Sequence, residues 1–425
     1  MRNCLKFAAV AFGLAVSVAA SAQVAFNVIA VPQSPANSFT AINNSSQVVA
    51  NGDKQTSGDV AVWSRTTGFE DLGLSGANAA AAAMNDSGEV VGAGNPEGSG
   101  AVQAFVFGPG TGVQWLGSLG GGLSAASGVN ESGTVVGLSY TAAKTQHAFL
   151  WTPESGMEDL TPQLQSIGGA TAVGVNSANE VAGYYFSNGD RNPVAFLWTA
   201  AGGLQNLAPA GAIALGINDA GTIVGQAPNA RGFKHACAWS STGQMTDLGT
   251  LGGATSSALA INNRGWIVGT SLTSSKKGLL RGFLWTPSAG MQDLATLAGV
   301  SKQLQPYSLQ VNDYGVIAVS TNKGISLYSP LMRVALTSSA NPSKVAQPVT
   351  FTATVGSIAG APQDGEAVTF KIAGQVVGSA TLVNGVAQFT TAAIPKGAHI
   401  VSAEYAGDAN YLASPYTALH QVVNP

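Results

Sequence analysis

The chain has 425 residues, a formal net charge of −3, 9% charged and 45% hydrophobic residues. Low charge with that hydrophobic content excludes a disordered chain, which needs the reverse balance; so small a net charge also gives no general attraction for nucleic acid. The 54 glycines, with abundant Ala, Ser, Thr and Asn, suit short strands joined by tight turns.

The first residues carry the three parts of a secretory signal. These are basic Arg2 and Lys6, an apolar stretch from Phe7 to Val18, and the small-residue site Ala20-Ser21-Ala22. The stretch is too short to span a bilayer, so residues 1–22 are expected to be cleaved near Ala22, leaving a secreted or periplasmic chain without membrane insertion. Cys4 precedes the apolar stretch, which argues against lipidation there. Cys237 then remains as the only cysteine, and its setting (His235-Ala236-Cys237-Ala238-Trp239) reads as a buried core thiol.

Residues 23–330 are dominated by internal repetition. An apolar–Asn pair, a turn and a Val-Val-Gly-like run recur seven times, at Asn43, Asn85, Asn130, Asn176, Asn218, Asn262 and Asn312. A second element, clearest as HAFLWTP at His147 to Pro153, ends on Trp63, Phe107, Trp151, Trp198, Trp239, Trp285 and Tyr328. A third reads Gly-apolar-x-Asp-Leu, as in Gly156 to Leu160 and Gly290 to Leu294. Four short strands per repeat, at a period of roughly 40–50 residues, match a propeller blade. In turns such as Asn85-Asp86-Ser87-Gly88, the Asn accepts a backbone hydrogen bond and the Gly takes positive φ. Asn179 and Ser46 stand where other repeats have that Gly.

The seventh repeat has only three strands of its own, and Phe26-Asn27-Val28-Ile29 near the mature N-terminus has the pattern of the missing fourth. A solenoid has no use for that permutation, whereas a ring does, because it removes exposed sheet edges. Small residues such as Ala79 to Ala83 place the first strand of each repeat at a crowded axis. The expected fold is all-β: a seven-bladed β-propeller whose N-terminal strand closes the last blade, followed at 331–425 by an immunoglobulin-like β-sandwich. In that last part Val349-x-Phe351-x-Ala353-x-Val355 alternates as a half-buried strand does, and about seven such runs fit a sandwich.

HAFLWTP, Asp247-Leu248-Gly249-Thr250-Leu251-Gly252-Gly253 and Ala260-Ile261-Asn262-Asn263 closely resemble the HAF family of bacterial extracellular repeats over residues 24 to 330. Phe107 and Tyr328 depart from the Trp, and most copies lack the His. The resemblance implies export and a repeat architecture, and no reaction. Asn341-Pro342-Ser343, Gln347 to Phe351, Val368-Thr369-Phe370 and Tyr405-Ala406-Gly407-Asp408-Ala409-Asn410-Tyr411 look like the bacterial Ig-like domain, which implies a spacer or adhesive module.

Searching for chemistry gives little. His147 and His235 share a repeat position with Gln103 and Arg281, which reads as strand surface, not as ligand or base. Asp71, Asp159, Asp247 and Asp293 read as solvated acids beside turns, and no HExxH, nucleophile elbow or phosphate loop is present. A calcium loop at the asparagine turns would have only one or two acids each, so they read as structural turns first. No cofactor, metal site or catalytic residue is called for. Charge placement says more. Of the twelve Lys and Arg in the repeats, nine fall between strands two and three: Lys54, Lys144, Arg191, Arg231, Lys234, Lys276, Lys277, Arg281 and Lys323. Asp53, Asp59, Glu97 and Asp190 oppose them there, while Glu131, Asp219 and Asp313 sit at the opposite turns. Tyr140, Tyr184, Tyr185 and Phe186 border the same loops. A ligand surface is therefore expected from Tyr140, Lys144, Tyr184, Tyr185, Arg191, Arg231, Lys234, Lys276, Lys277 and Arg281. It suits an anionic polysaccharide or a cell-surface protein. The expected function is non-catalytic binding or adhesion, with the sandwich as spacer. A polysaccharide hydrolase or lyase with a propeller pocket, and a purely structural envelope protein, stay open.

Overall fold

The computed structural model describes residues 24–32, 39–52, 60–74, 78–164, 167–187, 192–274, 278–300, 305–414 and 416–425. The expected signal segment, residues 1–22, lies outside them. Among the described residues the chain is all-β, with one short helix at Leu294–Leu297.

Seven antiparallel sheets have four strands each. The third runs Gly120–Val129, Val135–Thr141, Gln146–Thr152 and Gly156–Asp159, and the first, second, fourth, fifth and sixth repeat the same meander. The seventh contains Ser308–Val311, Ile317–Thr321 and Gly324–Pro330, and its fourth strand is Phe26–Ala30. That strand pairs in register from Phe26 opposite Pro330 to Ala30 opposite Ser326.

The recurring residues explain why the sheets repeat. Each aromatic of the third strand lies opposite the first residue of the second strand: Val48 and Trp63, Val90 and Phe107, Val135 and Trp151, and so on to Ile317 and Tyr328. In six sheets the first strand carries a bulge just before its Asn, as at Ala126/Gly128. In five of these sheets that strand's backbone lies over the glycine of Val-Val-Gly, and in the first sheet Ala50 stands there: a Cβ on Gly137 would lie 2.1 Å from the Ala125 carbonyl oxygen and 2.9 Å from the Phe149 ring. In the seventh sheet the first strand is regular, and Val319 replaces the glycine.

Among the described residues, the apolar clusters of the repeats each join two consecutive sheets. Val91, Ala104 and Val106 of the second pack on Val135, Phe149 and Trp151 of the third; Val316, Ala318 and Ile325 of the seventh pack on Phe39, Val48 and Trp63 of the first. Successive sheets that bury their faces against one another in this way make a β-propeller-like fold.

Strand direction gives this body two sides. The first strands end at the asparagine turns, and the turns between third and fourth strands lie on that same turn side. The connections between second and third strands, and those from sheet to sheet, lie on the opposite loop side.

The C-terminal unit packs a three-stranded sheet (Arg333–Ser338, Val349–Gly356, Val386–Thr391) on a five-stranded one that includes Ala367–Ile372, Gly397–Tyr405 and Thr417–Asn424. Val349, Phe351, Ala353 and Val355 all point into its core with Phe370, Tyr405 and Tyr411. This unit meets the repeats on their turn side. Arg65 donates to the Asp408 carbonyl, Arg264 to the Ala359 carbonyl, and the Tyr411 hydroxyl to the Tyr314 carbonyl at 3.0 Å.

Candidate functional site

On the turn side, the seven repeat asparagines are all buried. Each does two jobs. Within its own turn, Asn130 Oδ1 accepts from the Ser132 and Thr134 amides, at 3.1 and 3.0 Å. Between turns, each Nδ2 donates to the carbonyl of the next asparagine. The distances are 3.4 Å (43 to 85), 3.0 Å (85 to 130), 2.9 Å (130 to 176), 3.3 Å (176 to 218), 3.0 Å (218 to 262), 2.7 Å (262 to 312) and 3.0 Å from Asn312 back to Asn43. An Asp offers no donor for the second job, and a Gln is a methylene too long for the first.

The residues just after these asparagines add a second tier. The Asn44, Asp86, Ser177, Asp219, Asn263 and Asp313 amides donate to the side chains of Asp86, Glu131, Asp219, Asn263, Asp313 and Asn44, at 2.6–2.9 Å. The two tiers surround a cavity of about 400 Å³ lined by residues from all seven sheets. A second cavity of about 250 Å³ continues along the first strands, from Thr40 and Ala82 through Val173 to Gln310. At the mouth, burial, helped by Asp86 and Glu89, holds the Glu131 carboxyl above its ordinary value of 4.5. Asp86, Asp219 and Asp313 converge beside it, each already accepting a neighbouring backbone N–H.

On the loop side, the expected ligand residues separate into three groups. Arg191, Lys276 and Lys277 lie outside the described residues. Tyr140, Lys144, Tyr184, Arg231 and Lys234 do border the loops of the third, fourth and fifth sheets. Lys144 and Arg231 are exposed; Tyr140, Tyr184 and Lys234 are half-buried. Tyr184 stacks edge-on with Phe186 at 5.9 Å, and Lys144 Nζ donates to the Gly121 carbonyl at 3.0 Å.

Two residues must be removed from the expected surface. Tyr185 is a core residue, 8% exposed, packed among Leu160, Ala172 and Phe196 with its hydroxyl on Asn206 Oδ1 at 3.2 Å. Side chains alternate along a strand, so its neighbours Tyr184 and Phe186 face the other way. Arg281 is also buried, with Nη1 3.2 Å from Asp293 Oδ2.

The Arg281 pair is one of three. His147 Nδ1 lies 2.7 Å from Asp159 Oδ2, and His235 Nδ1 lies 2.9 Å from Asp247 Oδ2. The expectation that His147, His235 and Arg281 lie on plain strand surface and that Asp159, Asp247 and Asp293 are merely solvated is therefore wrong; Asp71 is exposed beside its turn, accepting from the Gly73 amide. The signal lay in the sequence: basic and acidic partners are always twelve residues apart, and where Gln103 replaces the base, Trp115 replaces the acid.

One pair reaches the loop surface. Asn229 Oδ1 accepts from the Arg231 and Phe233 amides at 2.9 and 3.1 Å, which leaves its Nδ2 to donate to His235 Nε2 at 2.9 Å. His235 is thereby an acceptor at Nε2 and carries its proton on Nδ1, toward Asp247. The chain Asp247–His235–Asn229 braces the turn that holds up Arg231, Lys234 and Phe233. Phe233 is 46% exposed, and sequence reasoning overlooked it. Among the described residues no ion pair engages Lys144, Arg231 or Lys234. No group of three or more His, Cys, Asp or Glu suited to a metal occurs among the described residues, and no helix there is long and apolar enough to cross a membrane.

Residues 336–424 match the family described as bacterial Ig-like domain, group 3. Comparison with curated proteins gave no match. Among solved structures, a streptogramin B lyase is similar at 12% identity and a TM-score of 0.44, over 73% of this chain and 100% of its own. Virginiamycin B lyase from Staphylococcus aureus is similar at 10% identity and 0.47, over 71% and 98%. A gluconolactonase from Xanthomonas campestris is similar at 10% and 0.37, over 72% and 89%. Likenesses this distant carry no activity to this chain.

Proposed function

We propose that this chain is an exported, non-catalytic binding protein in which seven HAF-type repeats form a closed seven-bladed propeller. Its loop side is the ligand surface, and an anionic glycan is the ligand class. One observation carries the reading: the Ig-like unit is docked on the turn side, which leaves the loop side free. There, Lys144, Arg231 and Lys234, without acid partners among the described residues, border the same loops as Tyr140, Tyr184 and Phe233. Arg231 and Phe233 together offer charge for a carboxylate or sulfate and an apolar face for a sugar ring, in a turn fixed by Asn229 before any ligand arrives. The test is a panel of neutral and anionic polysaccharides presented to purified residues 24–425. Binding that favours anionic members and weakens with salt supports the reading; no binding to any anionic polymer rejects it.

A second reading is favoured by the axial mouth, where Asp86, Glu131, Asp219 and Asp313 converge as a hydrolase or lyase pocket would require. Against it, all four already tie neighbouring turns together. Appearance of new reducing or unsaturated ends from a polysaccharide, abolished in Glu131→Gln, would establish it.

A further inference from the structure

We infer that the turns of the sixth, seventh and first sheets form a docking surface for the Ig-like unit, and that the docked unit clasps the seam of the ring. The inference rests on the closed-ring reading above.

Asn410 is the centre of the contact. It is buried, and its side chain spends every hydrogen bond on the repeats. Its Oδ1 accepts from Ser46 Oγ at 2.7 Å and from Asn312 Nδ2 at 3.1 Å, and its Nδ2 donates to the Asn44 carbonyl at 2.9 Å. Its own carbonyl accepts from Ser329 Oγ at 2.6 Å. Asn44 and Ser46 belong to the first sheet, Asn312 and Ser329 to the seventh, so one residue bridges turns whose asparagines lie 269 residues apart in sequence. The Ig-like unit prepares it for this. Asp408 Oδ1 accepts from the Asn410 and Tyr411 amides, both at 2.7 Å, and the Tyr405 hydroxyl holds Asp408 Oδ2 at 2.8 Å.

The repeats depart from their own pattern where they meet this unit. Ser46 holds φ at 54° where Gly88, Gly133, Gly221, Gly265 and Gly315 hold 71–81°. A serine there costs backbone strain, and its hydroxyl is what reaches Asn410. Arg264 and Tyr314 are large where the other turns carry Ser or Ala, and Trp266 stands where the others carry Gln, Glu, Thr or Val. The approach is close: a Cβ on Gly315 would lie 2.8 Å from the Trp266 ring and 3.1 Å from Ala359 Cβ. Tyr314 and Tyr411 meet edge-on at 6.2 Å.

A clasp predicts that loosening the contact loosens the seam alone. Native-state amide exchange on residues 24–425 reads this. In Asn410→Ala, the Val31 amide (bonded to the Ile325 carbonyl) and the Asp313 amide (bonded to Asn44 Oδ1) should exchange roughly tenfold faster. The Thr134 and Glu180 amides, in turns remote from the contact, should not change. Ser46→Gly provides a second variant that relieves the strain yet removes the hydroxyl, and it should also speed the seam. Unchanged seam exchange in both variants overturns the clasp. Seam amides already unprotected in the parent chain overturn the closed ring, and the clasp with it.

Discussion

Asn312 donates from Nδ2 to the carbonyl oxygen of Asn43 at 3.0 Å, across 269 residues of sequence. The bond is the same as the six between sequential neighbours, so the last repeat treats the first as its successor. A buried amide that serves both its own turn and the next one makes every turn depend on its neighbour.

That dependence predicts a large loss from a small change. Asn130→Ala removes the acceptor for the Ser132 and Thr134 amides and the donor to Asn176, leaving buried groups unsatisfied. The expected cost is about 2–4 kcal/mol in chemical denaturation. Asn130→Asp should also destabilise, because it keeps the acceptor and loses the donor.

The pairing of Phe26–Ala30 with Gly324–Pro330 can be trapped. Ala30 and Ser326 are directly opposed in register, a separation that suits a disulfide. Ala30→Cys with Ser326→Cys should oxidise within one chain, while buried Cys237 stays unreacted, and closing so long a loop should stabilise by about 4–5 kcal/mol. Mass spectrometry of the oxidised chain and its melting curve check both statements.

The two histidine–aspartate pairs should behave differently. Asp159→Ala strands the buried His147, whose Nε2 already has no partner, and should cost about 1–3 kcal/mol. Asp247 is 44% exposed, so Asp247→Ala should cost less than about 1 kcal/mol. It should instead weaken binding, because His235 would no longer hold Asn229 and the Arg231–Phe233 turn. Stability curves and binding curves of the two variants separate these effects.

Glu131 sets a pH trend. Its carboxyl is held above its ordinary value by burial first and then by Asp86 and Glu89. The fold therefore disfavours the charged form: the penalty is absent where Glu131 is protonated in both states and complete once pH has risen past its folded value. Glu131→Gln should stabilise the chain at neutral pH, modestly because the group is largely exposed, and that gain should vanish in acid. Denaturation at the two pH values checks the sign.

Much of the fold was legible because the repeats report on themselves. The Asn, the Val-Val-Gly run and the aromatic recur at fixed offsets, and the unfinished seventh repeat pointed to Phe26. The Asn–Asn circuit was hidden because each side chain's acceptor role is local whereas its donor role spans a repeat. The site was less legible. Strand alternation sends Tyr185 inward between two outward aromatics, and Arg281 looked like a loop cation until Asp293 twelve residues on was set against it. Phe233 was missed because a lone aromatic in a strand-rich chain reads as core. The docking of the Ig-like unit showed only as anomalies at Ser46, Arg264 and Tyr314, which have no local cause.

The most direct test of the loop-side assignment compares two charge reversals of equal size on one anionic polysaccharide. Arg231→Glu with Lys234→Glu should lower affinity roughly tenfold or more and flatten its salt dependence. Lys344→Glu with Lys396→Glu, in the Ig-like unit, should change little although net charge shifts equally. Equal losses in the two variants, or none in either, would contradict the account.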